Sequence, residues 1–224
     1  MSMALAMSEV AARAEICRVG RSLFERGYVH ANAGNISVRL ADGFLITPTD
    51  ACLGTLAPAL LARVGLQGEP LDAQTASKTL ALHRRIYTAD SLAGCVIHTH
   101  STHLVALTLA GAWSQADIVP PLTPYYVMKV GHVPLIAYHR PGDPRVGDLV
   151  AAAIQAHRER GGRLRAVMLD RLGPKVWDAS PAAAMAVLEE LEETARLWLM
   201  VHPRPAPLSS AQIDELRQAF GAYW

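Results

Sequence analysis

Apolar positions along the chain switch between two spacings. After Ser8, the residues Val10, Ala14, Cys17, Leu23 and Phe24 recur at near-helical intervals until Gly27, which predicts a first helix running to about Arg26 with Ser8 as its cap. The period then shortens to two. Residues 35–40 and 44–47 flank Ala41-Asp42-Gly43, which predicts a β-hairpin with an Asp-Gly turn. A helix is expected from a Ser77 cap through Tyr87, then a strand at 93–97, then a helix from near Thr102. Beyond the proline-rich stretch 120–124, residues 125–130 and 133–137 read as paired strands about Gly131-His132. A helix from about Arg145 to His157 follows. Residues 164–169 read as a strand, with 175–177 as its hairpin partner. A long helix from Ser180-Pro181 to about Val201 and a terminal helix from near Ser209 complete the order. This mixture over 224 residues suits one α/β domain spanning 1–224.

The chemistry concentrates where the run 93–97 ends in His98-Thr99-His100. Side chains two apart on a strand share a face, so the two imidazoles point together where a core strand meets solvent. That geometry suits zinc or another borderline divalent ion. A catalytic zinc normally takes three protein ligands and an open position, so two histidines are an incomplete set. The formal net charge of +1, with both signs interspersed, gives no footprint for nucleic acid or an anionic membrane and favours a small-molecule ligand. Residues 1–7 lack a basic flank and are too short for a signal peptide or a span, which predicts a cytoplasmic protein. Cys17, Cys52 and Cys95 read as reduced thiols in apolar surroundings. His83 and Arg84 read as a solvated or interface helix face, His132 and His139 as loop residues, and Glu189, Glu190, Glu192 and Glu193 as a charged helix face.

The motifs Gly34-Asn35-Ile36-Ser37, Thr47-Pro48-Thr49, Ser77-Lys78 and His98-Thr99-His100-Ser101-Thr102-His103, in that order, resemble the class II aldolase and adducin family over residues 10 to 200. More narrowly, Leu122-Thr123-Pro124-Tyr125-Tyr126, Arg140-Pro141-Gly142-Asp143-Pro144 and Leu191-Glu192-Glu193-Thr194-Ala195 are similar to the branch that decarboxylates 3-oxo-tetronate 4-phosphates. The resemblance implies a three-layer α/β/α fold with a largely antiparallel central sheet. It implies a carbon-carbon lyase acting on a small sugar-acid phosphate or related oxo acid, assembled as a homotetramer with active sites between subunits. It also implies zinc held by three histidines, of which His98 and His100 match two, and a phosphate cradle at Gly34, Asn35, Thr49, Ser77 and Lys78. Those residue types suit the task, because glycine permits close backbone approach, Asn and Thr donate hydrogen bonds, and a helix start at Ser77 attracts an anion. Breaking a carbon-carbon bond beside a carbonyl leaves an enediolate, whose charge a metal stabilises.

Two positions depart from the family pattern. Thr79 follows the Ser-Lys pair where the family carries its acid/base glutamate, and Leu172 stands where its third histidine precedes Gly173-Pro174. Threonine has no carboxylate to shuttle a proton and leucine cannot bind a metal, so the ordinary site is incomplete. Three readings stay open: a lyase with a rebuilt site, in which Asp170 serves as third ligand to zinc, iron or manganese; a metal-free enzyme of another reaction type, using Lys78, His100, His103, Tyr125 or Tyr126 as polar groups; or a non-catalytic binding or structural homologue.

Overall fold

The computed structural model describes residues 7–224, so the expectation for the N-terminal stretch falls almost wholly outside the described residues. Seven strands, β1 (Asn35–Leu40), β2 (Gly43–Ile46), β3 (Ala62–Gly65), β4 (Cys95–His98), β5 (Leu135–Ile136), β6 (Ala166–Leu169) and β7 (Gly173–Asp178), form one sheet in the order β3-β2-β1-β4-β7-β6-β5. Every pairing is antiparallel except β5 with β6. The hairpin expected at 35–47 forms, with Leu40 paired to Gly43.

Five helices cover the sheet, α1 (Glu9–Glu25), α2 (Leu80–Ala89), α3 (Thr102–Ala110), α4 (Arg145–Glu159) and α5 (Pro181–Met200), while α6 (Ser210–Phe220) packs against residues 126–130. Alternation along the strands sorts the core into two clusters. Ile36, Val38, Cys95, Ile97, Met168 and Val176 pack with α1, α3 and α5. Phe44, Val64, Val96, Val167 and Trp177 pack with α2 and α4 on the opposite face. The three-layer architecture and mostly antiparallel sheet expected from the sequence are what the chain adopts. Ser8 and Ser180 cap α1 and α5 as their positions predict, accepting from the amides of Ala11 at 3.3 Å and Ala183 at 3.2 Å. Among the described residues no helix is long and apolar enough to cross a membrane.

Four local expectations are corrected. Residues 125–130 are not a strand: Tyr126–Val130 form a single π-helical turn, entered where Thr123 Oγ1 accepts from the Tyr126 amide at 3.0 Å and closed by Gly131 at φ 77°. Tyr126, Val127 and Val130 are all buried there, and an alternating strand would have split them between two faces. Helix α2 starts at Leu80, not at Ser77, with Thr79 in the capping position, while the Ser77 carbonyl accepts from the Leu80 amide in the preceding turn. His83 is not on a solvated face but fully buried. Glu192 likewise leaves the charged face: it is buried, and its carboxylate accepts from the His103 and Leu104 amides at 3.0 Å each and pairs with His103 Nδ1 at 2.8 Å. It thereby serves, from α5, as the cap that α3 lacks on its own segment.

Replacing Glu192 with alanine strands those amides at the start of α3. The expected loss is about 2 kcal/mol of unfolding free energy, read as a lower urea midpoint at unchanged slope.

Candidate active site

Strand register places three polar residues in one row. Asn35 of β1 pairs with His98 of β4, and His98 pairs with Lys175 of β7, all on the face toward α2 and α4. Lys175 is only 1% exposed, an unusual place for an ammonium. Its Nζ donates to His83 Nε2 at 2.9 Å and lies 3.3 Å from Asn35 Oδ1, and no ion pair reaches it among the described residues. Burial pushes the Lys175 amine well below its ordinary range.

The hydrogen bonds behind Lys175 run in one direction. Tyr87 Oη donates to the Ser37 carbonyl at 2.9 Å, which leaves it to accept from Ser37 Oγ at 2.8 Å. Ser37 Oγ then accepts from His83 Nδ1 at 2.7 Å, so His83 is the Nδ1-protonated tautomer and its Nε2 is the acceptor for Lys175. Burial first, then the neighbouring Lys175 and His98, hold His83 well below the usual imidazole range, hence neutral. His98 is fixed similarly: Nδ1 donates to the Pro174 carbonyl at 2.8 Å, leaving Nε2 as its free acceptor. Burial, Lys175 and His100 lower its proton affinity.

Two glycines clamp the histidine segment. A Cβ on Gly34, at φ +87°, would stand 2.8 Å from the His98 carbonyl oxygen, and one on Gly173, at φ +130°, would stand 2.0 Å from that of Thr99. The rings of His98 and His100 lie 5.0 Å apart between centroids, so the sequence spacing does bring them together. His100 is half-buried, and its proton affinity falls through burial, then through His30 and Lys175.

One cavity of about 910 Å³ collects the residues expected to form the phosphate cradle and the metal site. Gly34, Asn35, Thr49, Ser77, Lys78 and Thr79 line it together with His98, His100, Asp170, Leu172 and Lys175. The loops carrying Thr49 and Ser77 are laced to each other, Thr49 N donating to Thr75 O at 3.2 Å and Ser77 N to Thr47 O at 3.1 Å. His139 and Arg140 join the wall. His103, Tyr125 and Tyr126 do not line it: His103 is held by Glu192, Tyr125 is exposed, and Tyr126 is buried against Trp224 with ring centroids 5.6 Å apart. Sequence reasoning passed over Lys175. Its signal was available as a lone lysine sharing a strand face with Trp177, in a sheet that helices cover on both sides.

The sequence pattern of the Class II Aldolase and Adducin N-terminal domain matches residues 14–199. The chain belongs to the class II aldolase and adducin family. Within that family, a 3-oxo-tetronate 4-phosphate decarboxylase of Cupriavidus necator is 55% identical over 217 residues, covering 95% of this chain and 97% of the relative. A protein of the same name from Escherichia coli K12 is 38% identical over 93% of this chain and 96% of its own length. The crystal structure of YgbL from Klebsiella pneumoniae is similar with a TM-score of 0.85 at 39% identity, over 94% of this chain and 100% of that one.

The zinc implied by the resemblance to class II aldolases meets an unfavourable donor set here. His98 Nε2 and His100 are available, but no group of three His, Cys, Asp or Glu side chains arranged to hold a metal ion occurs among the described residues, with or without Asp170. Leu172 occupies the wall, and the amine of Lys175 stands on the strand beside His98. Two imidazoles and an amine do not make the set of three protein ligands and one open position of a resident catalytic zinc.

The buried lysine should mark the pH dependence of stability. Its folded proton affinity is depressed, so over the range just below pH 10.5 the unfolded chain binds a proton that the native chain does not. Unfolding free energy then rises with pH, by up to about 1.4 kcal/mol per pH unit. Lys175→Met removes this dependence, so the stability of the native protein relative to that variant should climb from neutral to alkaline pH in urea titrations. A constant difference would show that Lys175 keeps an ordinary proton affinity.

Proposed function

We propose that this chain is a carbon-carbon lyase of the decarboxylase kind, acting on a small 3-oxo sugar-acid phosphate, with residues 1–224 working as one domain in the cytoplasm. The observation that carries the reading is the convergence of the five cradle residues, two histidines and one buried amine on a single cavity. The similarity to proteins named 3-oxo-tetronate 4-phosphate decarboxylase, at up to 55% identity over almost the whole length, supports the same substrate class.

In this reading the phosphate rests against Gly34, Asn35, Thr49 and Ser77, where the positive end of the α2 dipole favours an anion. Lys78 is exposed and has no carboxylate partner among the described residues, so its charge is available to the phosphate. Binding energy from this remote group orients the reacting carbons. His98, with Nε2 unoccupied, and the half-buried His100 are the groups that carry protons at the other end. Thr79, whose hydroxyl is 3.0 Å from Ser77 Oγ, positions Ser77 rather than moving a proton. No step in this reading passes through a metal.

A millimolar sugar phosphate should raise the melting temperature, because a ligand that binds only the native state stabilises it, by about 2.7 kcal/mol at a hundred times its dissociation constant. Lys78→Ala should remove most of that shift, while an unphosphorylated sugar acid should produce little in either protein. Equal shifts with and without the phosphate would move the cradle elsewhere.

The reading includes a homotetramer, supported by the apolar side chains of Leu109, Trp113, Tyr125 and Tyr138 left exposed on the single chain. Light scattering at micromolar concentration should return four times the chain mass. A monomer would confine the site to residues of one chain.

A further inference from the structure

We propose that Lys175 is the nucleophile of the reaction, its Nζ forming a Schiff base with the 3-oxo carbon of the substrate. The inference rests on the decarboxylase reading above and assigns the electron sink that the reading requires. Loss of CO2 from a 3-oxo acid pushes an electron pair onto C2, and an electron sink at C3 receives it, the stronger for carrying positive charge. The cavity offers two imidazoles, no third metal donor arranged with them, and one amine.

The geometry equips that amine for attack. His83 Nε2 and Asn35 Oδ1 account for two N–H groups of Lys175, at 2.9 and 3.3 Å, and His83 can only accept because Ser37 fixes its tautomer. With those two N–H groups engaged, and Lys175 itself part of the cavity lining, the remaining position on Nζ is the one left for an occupant of the cavity. An ion-paired ammonium would be disarmed, and no carboxylate pairs with Lys175 among the described residues. The burial that depresses its proton affinity acts in the same direction. Lys78, the other lysine of the wall, is exposed and lacks this enclosure.

The steps balance without an added oxidant or reductant. Nζ bonds to C3 as the C3–O π bond opens. The oxygen takes one proton from the nitrogen and a second relayed from solvent through His98 or His100, and leaves as water, giving an iminium. The C1–C2 bond then breaks, C1 departs as CO2, and its electron pair forms the C2–C3 double bond of an enamine. A proton arriving at C2 through His98 or His100 regenerates the iminium. Water adds at C3 and the C3–N bond breaks, releasing the free amine and the ketone. From 3-oxo-tetronate 4-phosphate that ketone is dihydroxyacetone phosphate, which can re-form the same iminium from the product side.

The test uses the intact wild-type protein with dihydroxyacetone phosphate and cyanoborohydride, read by intact mass and peptide mapping, alongside CO2 release from 3-oxo-tetronate 4-phosphate. The expected result is one adduct per chain on Lys175, heavier by the ketone less one oxygen, with turnover in the untreated protein. Lys175→Met should form no adduct, and Lys175→Arg should lose turnover by at least about 100-fold. Turnover without an adduct, or turnover that a chelator abolishes and zinc restores, overturns the Schiff base and leaves the decarboxylase reading standing. An adduct mapped to Lys78 overturns it as well. An adduct on Lys175 without turnover supports the amine's role as a nucleophile and overturns the decarboxylase reading, and the absence of both overturns both.

Discussion

An amine buried beneath a helix must find acceptors without a carboxylate to meet it, and the centre of this protein is arranged around that requirement. Leaving Lys175 without partners at so buried a position would cost several kcal/mol. Asn35 and His83 supply the acceptors, but His83 is an acceptor only while Ser37 and Tyr87 hold its other nitrogen protonated. The chain of bonds thus fixes where α2 lies on the sheet, since His83 and Tyr87 both project from it. The same helix begins beside Lys78 and Thr79, so the placement that satisfies the amine also sets the wall of the cavity.

Much of this architecture was legible because it depends on local spacing. The hairpin at 35–47, the capped helices and the approach of His98 to His100 each follow from residues close in sequence. Membership of the cradle was legible through motif order, although only the fold shows Thr49 and Ser77 laced together. What escaped was set by long-range packing. His83 shares helical spacing with Ile86 and Tyr87, which marked it as inward-facing, yet its polarity suggested solvent. Glu192 sits in a run of acidic residues, and nothing local distinguishes the one that turns in to cap α3. The strand β3 and the π-helical turn at 126–130 likewise depend on neighbours far along the chain.

The departures at Thr79 and Leu172 take on a different sense beside Lys175. Viewed alone they remove a carboxylate and an imidazole from a class II aldolase site. In the fold both line the cavity that holds the amine, and Leu172 also packs on the apolar cluster under α2 and α4. Leucine dries the wall and threonine adds no negative charge, and each of these favours an uncharged lysine. The three residues form a consistent set.

The polar chain behind the amine is also a dead end. From Lys175 it passes through His83 and Ser37 to Tyr87, each buried, and the last phenol is held firmly protonated by its surroundings. Protons therefore reach or leave the nitrogen only by way of the cavity mouth. The charge state of the amine is thus set from the cavity side, by the occupant and by the two imidazoles that line the same wall.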